Sequence, residues 1–160
     1  MALEELGYKS PEGCIAHGIH REVISGKGDT TNAYELTAEQ SGSLCLFDAA
    51  DGVIYTLPAP VVGLKFDFLV TVAGTSNAYS IDTDAATTFI GGGVGSFSTT
   101  VAEGGDSFAA DIAATVSVDL DSDVTGRLVG THLTLTCLSA TTWGISGNIH
   151  GVGTLATPFA

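Results

Sequence analysis

Three aspartates at alternate positions, Asp119, Asp121 and Asp123, followed by Gly126, form the spacing in this chain that comes nearest to a chemical motif. Calcium loops begin this way, because a hard cation gathers several carboxylate oxygens at once. The EF-hand rule then asks for glycine at loop position 6 and a bidentate glutamate at position 12, where this chain has Val124 and Gly130. The stretch therefore reads as a solvated acidic strand end before a glycine turn, with the three aspartates kept as a minor calcium candidate.

Cys14, His17 and His20 stand at three-residue steps and are of types that ligate zinc. Zinc needs three or four converging ligands, and no further acid or cysteine pair completes the set, while Gly13 and Gly18 oppose the helix that would bring the three together. Gly144-Ile145-Ser146-Gly147 falls one residue short of a nucleophile elbow and lies in a strand pattern, without the strand-to-helix turn that exposes such a serine. His132 and His150 fall on neighbouring expected strands, where lone imidazoles serve more often as hydrogen-bonded structure than as an acid and base pair. Gly91-Gly92-Gly93-Val94-Gly95 lacks the helix and lysine of a phosphate cradle and reads as a flexible hairpin connection. An enzyme acting on polysaccharide would need two suitably spaced carboxylates in a groove, and the sequence does not show which acids converge. The chain is read as non-enzymatic, with no cofactor.

Strands must position these residues. Leu64, Phe66, Phe68, Val70 and Val72 alternate with Lys65, Asp67 and Thr71, which predicts one dry and one mostly wet face. Further strands are expected over 33–36, 43–48, 53–57, 78–83, 87–90, 96–101, 106–110, 115–120, 127–138 and 142–152, punctuated by Asp51-Gly52, Gly104-Gly105 and Gly126. Only 36–40 and 109–114 invite a helical turn. The strand of Leu133, Leu135 and Cys137 and the one carrying Trp143, Ile145 and Ile149 are expected to form a hairpin through Ser139-Ala140-Thr141. The resulting fold class is all-β: a single antiparallel β-sandwich, jelly-roll or barrel domain over 32–160, preceded by an extended N-terminal arm over 1–31.

Composition bounds the partners. The chain has 160 residues, with 5 basic against 18 acidic side chains and a net charge of −13, which repels nucleic acid and anionic lipid alike. Lys9, Arg21 and Lys27 nearly offset the acids of 1–31, whereas Lys65 and Arg127 stand alone against the remaining ones, so the body is acidic and the arm close to neutral. Cys14, Cys45 and Cys137 form no CxxC pair; they read as small core hydrophobes, and a Cys45–Cys137 bridge stays open. Neither a basic-then-apolar leader nor an 18-residue apolar run is present, so a soluble protein is expected. The arm carries Ile15, Ile19, Arg21, Val23 and Ile24, apolar surface with one cation that needs a partner, and these are the candidate contact residues.

Taken together, the run Ser41-Gly42-Ser43-Leu44-Cys45-Leu46-Phe47-Asp48, the run Val53-Ile54-Tyr55-Thr56-Leu57-Pro58, Gly63, the 64–72 strand and Trp143-Gly144-Ile145-Ser146-Gly147 resemble a group of bacteriophage virion proteins. These are small β-rich capsid decoration, or cement, proteins, with related modules in head and tail fibres. The resemblance spans roughly 36–150 and implies a structural virion protein, made in the host cytoplasm and placed on the capsid exterior. It further implies that the partners are the major capsid protein and the protein's own copies, as a homotrimer at junctions between capsid subunits. The alternative it implies is a fibre or receptor-binding module, in which Tyr79, Trp143 and the glycine loops would line a glycan site.

Overall fold

The computed structural model describes residues 21–26, 32–75, 77–100 and 105–160. Among them are the strands β1 (Val23–Ser25), β2 (Ala33–Glu35), β3 (Leu44–Phe47), β4 (Val53–Thr56), β5 (Lys65–Val70) and β6 (Tyr79–Asp82). They are followed by β7 (Phe89–Ser98), β8 (Gly105–Ala110), β9 (Ser117–Leu120), β10 (His132–Ser139) and β11 (Thr142–Gly151). The 3-10 turn Ala38–Gln40 falls inside the first helical candidate; Gln40 Oε1 accepts the Thr37 backbone N–H at 2.9 Å. The second candidate, 109–114, is the end of β8 followed by a turn.

The strands make two mixed sheets, one of order β1-β3-β5-β10-β11-β7-β8 and one of order β2-β4-β6-β9. An antiparallel domain was the expectation from sequence, and the structure corrects it: β1–β3, β3–β5, β2–β4, β4–β6 and β7–β11 are parallel pairs. The reason lies in how the chain winds. From β1 to β6 successive strands alternate between the two sheets, so each strand returns beside the one two places earlier, running the same way. Two-residue hairpins cannot make such pairs; crossover connections can, and here the crossovers are strands of the opposite sheet.

This coil has a short internal period. Ile24 pairs with Cys45 and Tyr34 with Tyr55, both at an offset of 21 residues. Tyr34-x-Leu36 and Tyr55-x-Leu57 repeat at that spacing, as do Gly42 and Gly63, each with φ of +94°. The two leucines also bond alike: the Leu36 N–H donates to Thr56 O and the Leu57 N–H to Asp82 O, at 2.9 and 2.8 Å. After the coil the chain turns to hairpins. β10 and β11 pair antiparallel across the Ala140-Thr141 turn, with a bulge between Cys137 and Ser139.

Residues from both sheets form one core, including Phe47, Tyr55, Phe66, Phe68, Tyr79, Ile81, Leu133, Leu135 and Trp143. Phe66, Phe68 and Val70 face it as their alternation predicts, but Asp67, expected on the wet face, is only 5% exposed. Cys45 and Cys137 are buried free thiols, which closes the open question of a bridge between them. Burial first, then the Asp67 and Glu22 charges, push the Cys45 thiol up to about 12, so it stays protonated and inert.

Gly91 to Gly95 prove to lie within β7 rather than in a hairpin connection, which merges the two strands expected there. At Gly92, φ is +114° and a Cβ would lie 2.4 Å from Ile145 O on β11, so glycine is what lets the two backbones approach. At Gly63, by contrast, a Cβ would meet nothing within 4 Å. Gly63→Ala should therefore carry only the left-handed backbone cost, about 1–2 kcal/mol, and Gly92→Ala that cost plus steric overlap. Urea denaturation checks this; equal losses in the two variants would show that β7 and β11 are not in close approach.

Candidate functional site

The docked N-terminal strand gathers the most specific polar contacts of the molecule. β1 adds in parallel to the free edge of β3, with the Leu44 N–H donating to Glu22 O at 2.9 Å and the Gly26 N–H to Leu46 O at 3.2 Å. Ile24 turns inward and is 4% exposed, while Val23 turns outward. The Tyr55 hydroxyl ties the strand from beneath, lying 3.2 Å from Ile24 O and 2.8 Å from Leu46 O.

Arg21, just ahead of the strand, reaches across β3. Its Nε donates to Gly42 O at 2.9 Å, its Nη2 to Ser43 O at 3.2 Å, and the same Nη2 pairs with Asp67 Oδ2. Asp67 is held from its other side by the Thr134 hydroxyl, which donates to Oδ1; Thr134 is its register partner on β10. Lys65 Nζ stands 4.0 Å away. Glu22 continues the clamp by accepting the Ser43 hydroxyl at 3.0 Å, and the Ser25 hydroxyl donates to Asp48.

Burial alone would push the Asp67 carboxyl up. The Thr134 hydroxyl, the Arg21 guanidinium and the Lys65 ammonium outweigh it and hold the group below the usual carboxylate range. A buried carboxylate with both oxygens bonded is costly to leave half satisfied. The arrangement thus fixes the chain at Arg21, and its chemistry is that of a clamp.

The other candidates are placed as follows. Of the contact residues, Arg21 and Ile24 engage the chain's own sheet, Val23 is exposed, and Ile15 and Ile19 lie outside the described residues. Cys14, His17 and His20 also lie outside them. Asp119, Asp121 and Asp123 are engaged separately: by the Ser80 hydroxyl at 3.3 Å, the Thr125 hydroxyl at 2.8 Å and Arg127 Nε at 2.7 Å. No group of three or more His, Cys, Asp or Glu side chains able to hold a metal is found among the described residues. His132 is paired in register with Asn148 and not with His150, whose ring instead lies 5.8 Å from that of Phe97. Tyr79 and Trp143 are both 0% exposed, so neither ring presents a face to a sugar.

Sequence reasoning named Arg21 as a contact to a partner chain, whereas here it bonds the chain's own Asp67, and it did not single out Asp67, Ser43 or Thr134. The available signal was Asp67 itself, a lone acid between Phe66 and Phe68 in a strand buried on both sides.

Removing Arg21 leaves Asp67 without its main partner. Arg21→Ala should cost about 1–3 kcal/mol, the usual penalty for an unsatisfied buried group, and should move acid sensitivity. Because the folded Asp67 pKa is depressed, its contribution is present above the unfolded carboxylate pKa of about 3.9 and lost as pH falls through the folded value. In Arg21→Ala that depression shrinks, so less stability remains to be lost on acidification and the variant's profile should be flatter than that of the wild type. Urea midpoints measured across the acid range test this, and superimposable pH profiles would show that the pair contributes nothing.

No family model matches the chain, and comparison with curated proteins and with solved structures finds no match.

Proposed function

We propose that this protein is a structural virion component, a capsid decoration protein that adheres to the outside of a phage head and stabilises it. The observation that carries the reading is the clamp at Arg21, which fixes the chain to the body through Asp67 and the β3 edge and offers the segment before it a firm anchorage. A tether must transmit load into a rigid element. Here it enters a seven-stranded sheet through backbone pairing, a plugged isoleucine and a buried ion pair.

Two further features support it. The net charge of −13 favours a position away from packaged DNA, on the shell exterior. The two sheets share one core, which suits a closed sandwich that stays rigid while its leader binds the major capsid protein. The mechanism is linkage: a ligand that engages the assembled shell better than the loosened one shifts the equilibrium toward the intact particle. As a homotrimer seated across capsid subunits, the protein would detach only if several contacts failed together, so modest single-copy affinity suffices.

Heads made with and without this chain test the reading. The protein should be present at high copy number, its loss should lower the temperature at which heads release DNA, and deletion of residues 1–26 should abolish attachment. A few copies per head, or unchanged heat resistance without it, would overturn the proposal.

A further inference from the structure

Four of the large apolar side chains left in solvent meet at one corner of the seven-stranded sheet: Val61, Val62, Ile112 and Leu138, at 57, 68, 57 and 57% exposure. Their contiguity follows from backbone and register. The Gly63 N–H donates to Cys137 O at 3.0 Å, which sets the Val61-Val62 turn beside the β10 bulge that carries Leu138. Leu138 lies over Gly144, whose missing Cβ would fall 2.8 Å from Leu138 Cδ1, and Ile112 lies over Gly91, with a distance of 3.0 Å. Gly144 and Gly91 are register partners on β11 and β7, so the two aliphatic side chains lie down on adjacent glycines of one sheet face. The result is a flat apolar surface on a floor without Cβ atoms.

The corner is also where the charge is missing. Segments 58–64, 85–102 and 128–160 contain no Asp, Glu, Lys or Arg, although the chain as a whole stands at −13. β7, β10 and β11 all come from these segments. The nearby charges are Lys65, at the start of β5, and Asp111, whose Oδ1 is turned back onto the Ala113 N–H at 2.9 Å.

We infer that this corner is the surface through which copies of this chain associate, each presenting the same uncharged apolar corner to its neighbours. Two molecules of −13 repel wherever their acids meet, and this face brings no acid-bearing strand against another. A basic partner would be drawn to the acidic parts of the body, and a symmetric assembly needs a patch that tolerates its own copy. The inference deepens the trimer of the functional reading and rests on that reading only for the number of copies.

Sedimentation of the full chain across a wide concentration range provides the test. Wild type should associate, and more tightly as salt is added, because salt screens the repulsion between acidic bodies while leaving apolar contact intact. Leu138→Glu and, separately, Val62→Glu should weaken association by about tenfold or more, since a carboxylate buried in the contact finds no partner. Both side chains are exposed in the single chain, so thermal midpoints measured at concentrations where wild type is dissociated should stay at the wild-type value. Val129→Glu, at 56% exposure but at the opposite end of β10 from Leu138, should associate like wild type. A wild type that is monomeric at every concentration overturns the inference, as do glutamate variants that associate undiminished. If wild type is monomeric and Leu138→Glu loses attachment to heads, the corner belongs to the capsid protein: this inference fails and the functional reading stands. If the oligomer forms as described but does not bind heads, the functional reading fails and this one stands.

Discussion

Phe47 is the contact on which the two-sheet arrangement turns. From β3 of the larger sheet its ring reaches Phe68 on β5 at 6.1 Å, and it meets Tyr55 and Tyr79 of the smaller sheet at 5.4 and 4.8 Å. Each such ring pair is worth about 0.5–1.5 kcal/mol beyond the apolar area it buries. More important is what the rings bring with them. The Tyr79 hydroxyl lies within reach of the backbone carbonyls of Ala49 and Val72, at 2.9 and 2.7 Å, with one proton to donate between them, and the Tyr55 hydroxyl reaches Ile24 O and Leu46 O. The tyrosines of the smaller sheet thus bond to carbonyls of β1 and β3 and of the chain just past β3 and β5, so sliding one sheet over the other would break those bonds. Burial, with Asp48 and Asp51 nearby, pushes the Tyr79 phenol up to about 12, so these bonds persist throughout the physiological range.

Given that core, the outer face of the larger sheet divides into two regimes. On the β3–β5–β10 side, Asp67 is buried and has to be answered, which it is by Arg21 and Thr134. On the β10–β11–β7 side there is no charge, and glycines replace side chains at Gly91 and Gly144. The first region captures a segment of its own chain; in the second, Leu138 lies over Gly144 and Ile112 over Gly91. One sheet face therefore holds a polar clamp and an apolar plain, separated by the width of a strand pair.

Some of this could be read from the residues. The β10–β11 hairpin, the inward face of β5 and the short helical turn before Ser41 follow from local alternation, turn residues and capping, which depend on neighbours in sequence. The parallel pairing could not be read the same way, because it depends on which sheet each crossover joins. Its trace is the 21-residue spacing of Tyr34-x-Leu36 with Tyr55-x-Leu57 and of Gly42 with Gly63, a signal only two copies long. Gly91 to Gly95 looked like a connection because glycine signals turns; tertiary approach to Ile145 and Phe108 is what requires it. Asp67 looked solvated because its neighbours alternate, and only the docked strand conceals it. Arg21 was recognised as a contact residue, but its partner lies 46 residues on, a distance over which no local rule operates.

The winding also explains why the clamp sits beside the first of the described strands. A coil that alternates between two sheets places its earliest strands at their margins, and among the described residues β1 and β2 are edges of the larger and smaller sheet respectively. Open edges invite another chain to pair. Here each first-circuit strand is three residues long, and Glu22 and Glu35 flank or end them, which limits how far a foreign strand could extend the ladder. Edge protection and anchoring thus fall on the same residues. A strand so short has too few ladder bonds to hold itself, and the bonds it lacks are supplied by side chains: Arg21 to Asp67, Glu22 to Ser43 and Ser25 to Asp48. The brevity that guards the edge is what makes the side-chain clamp necessary.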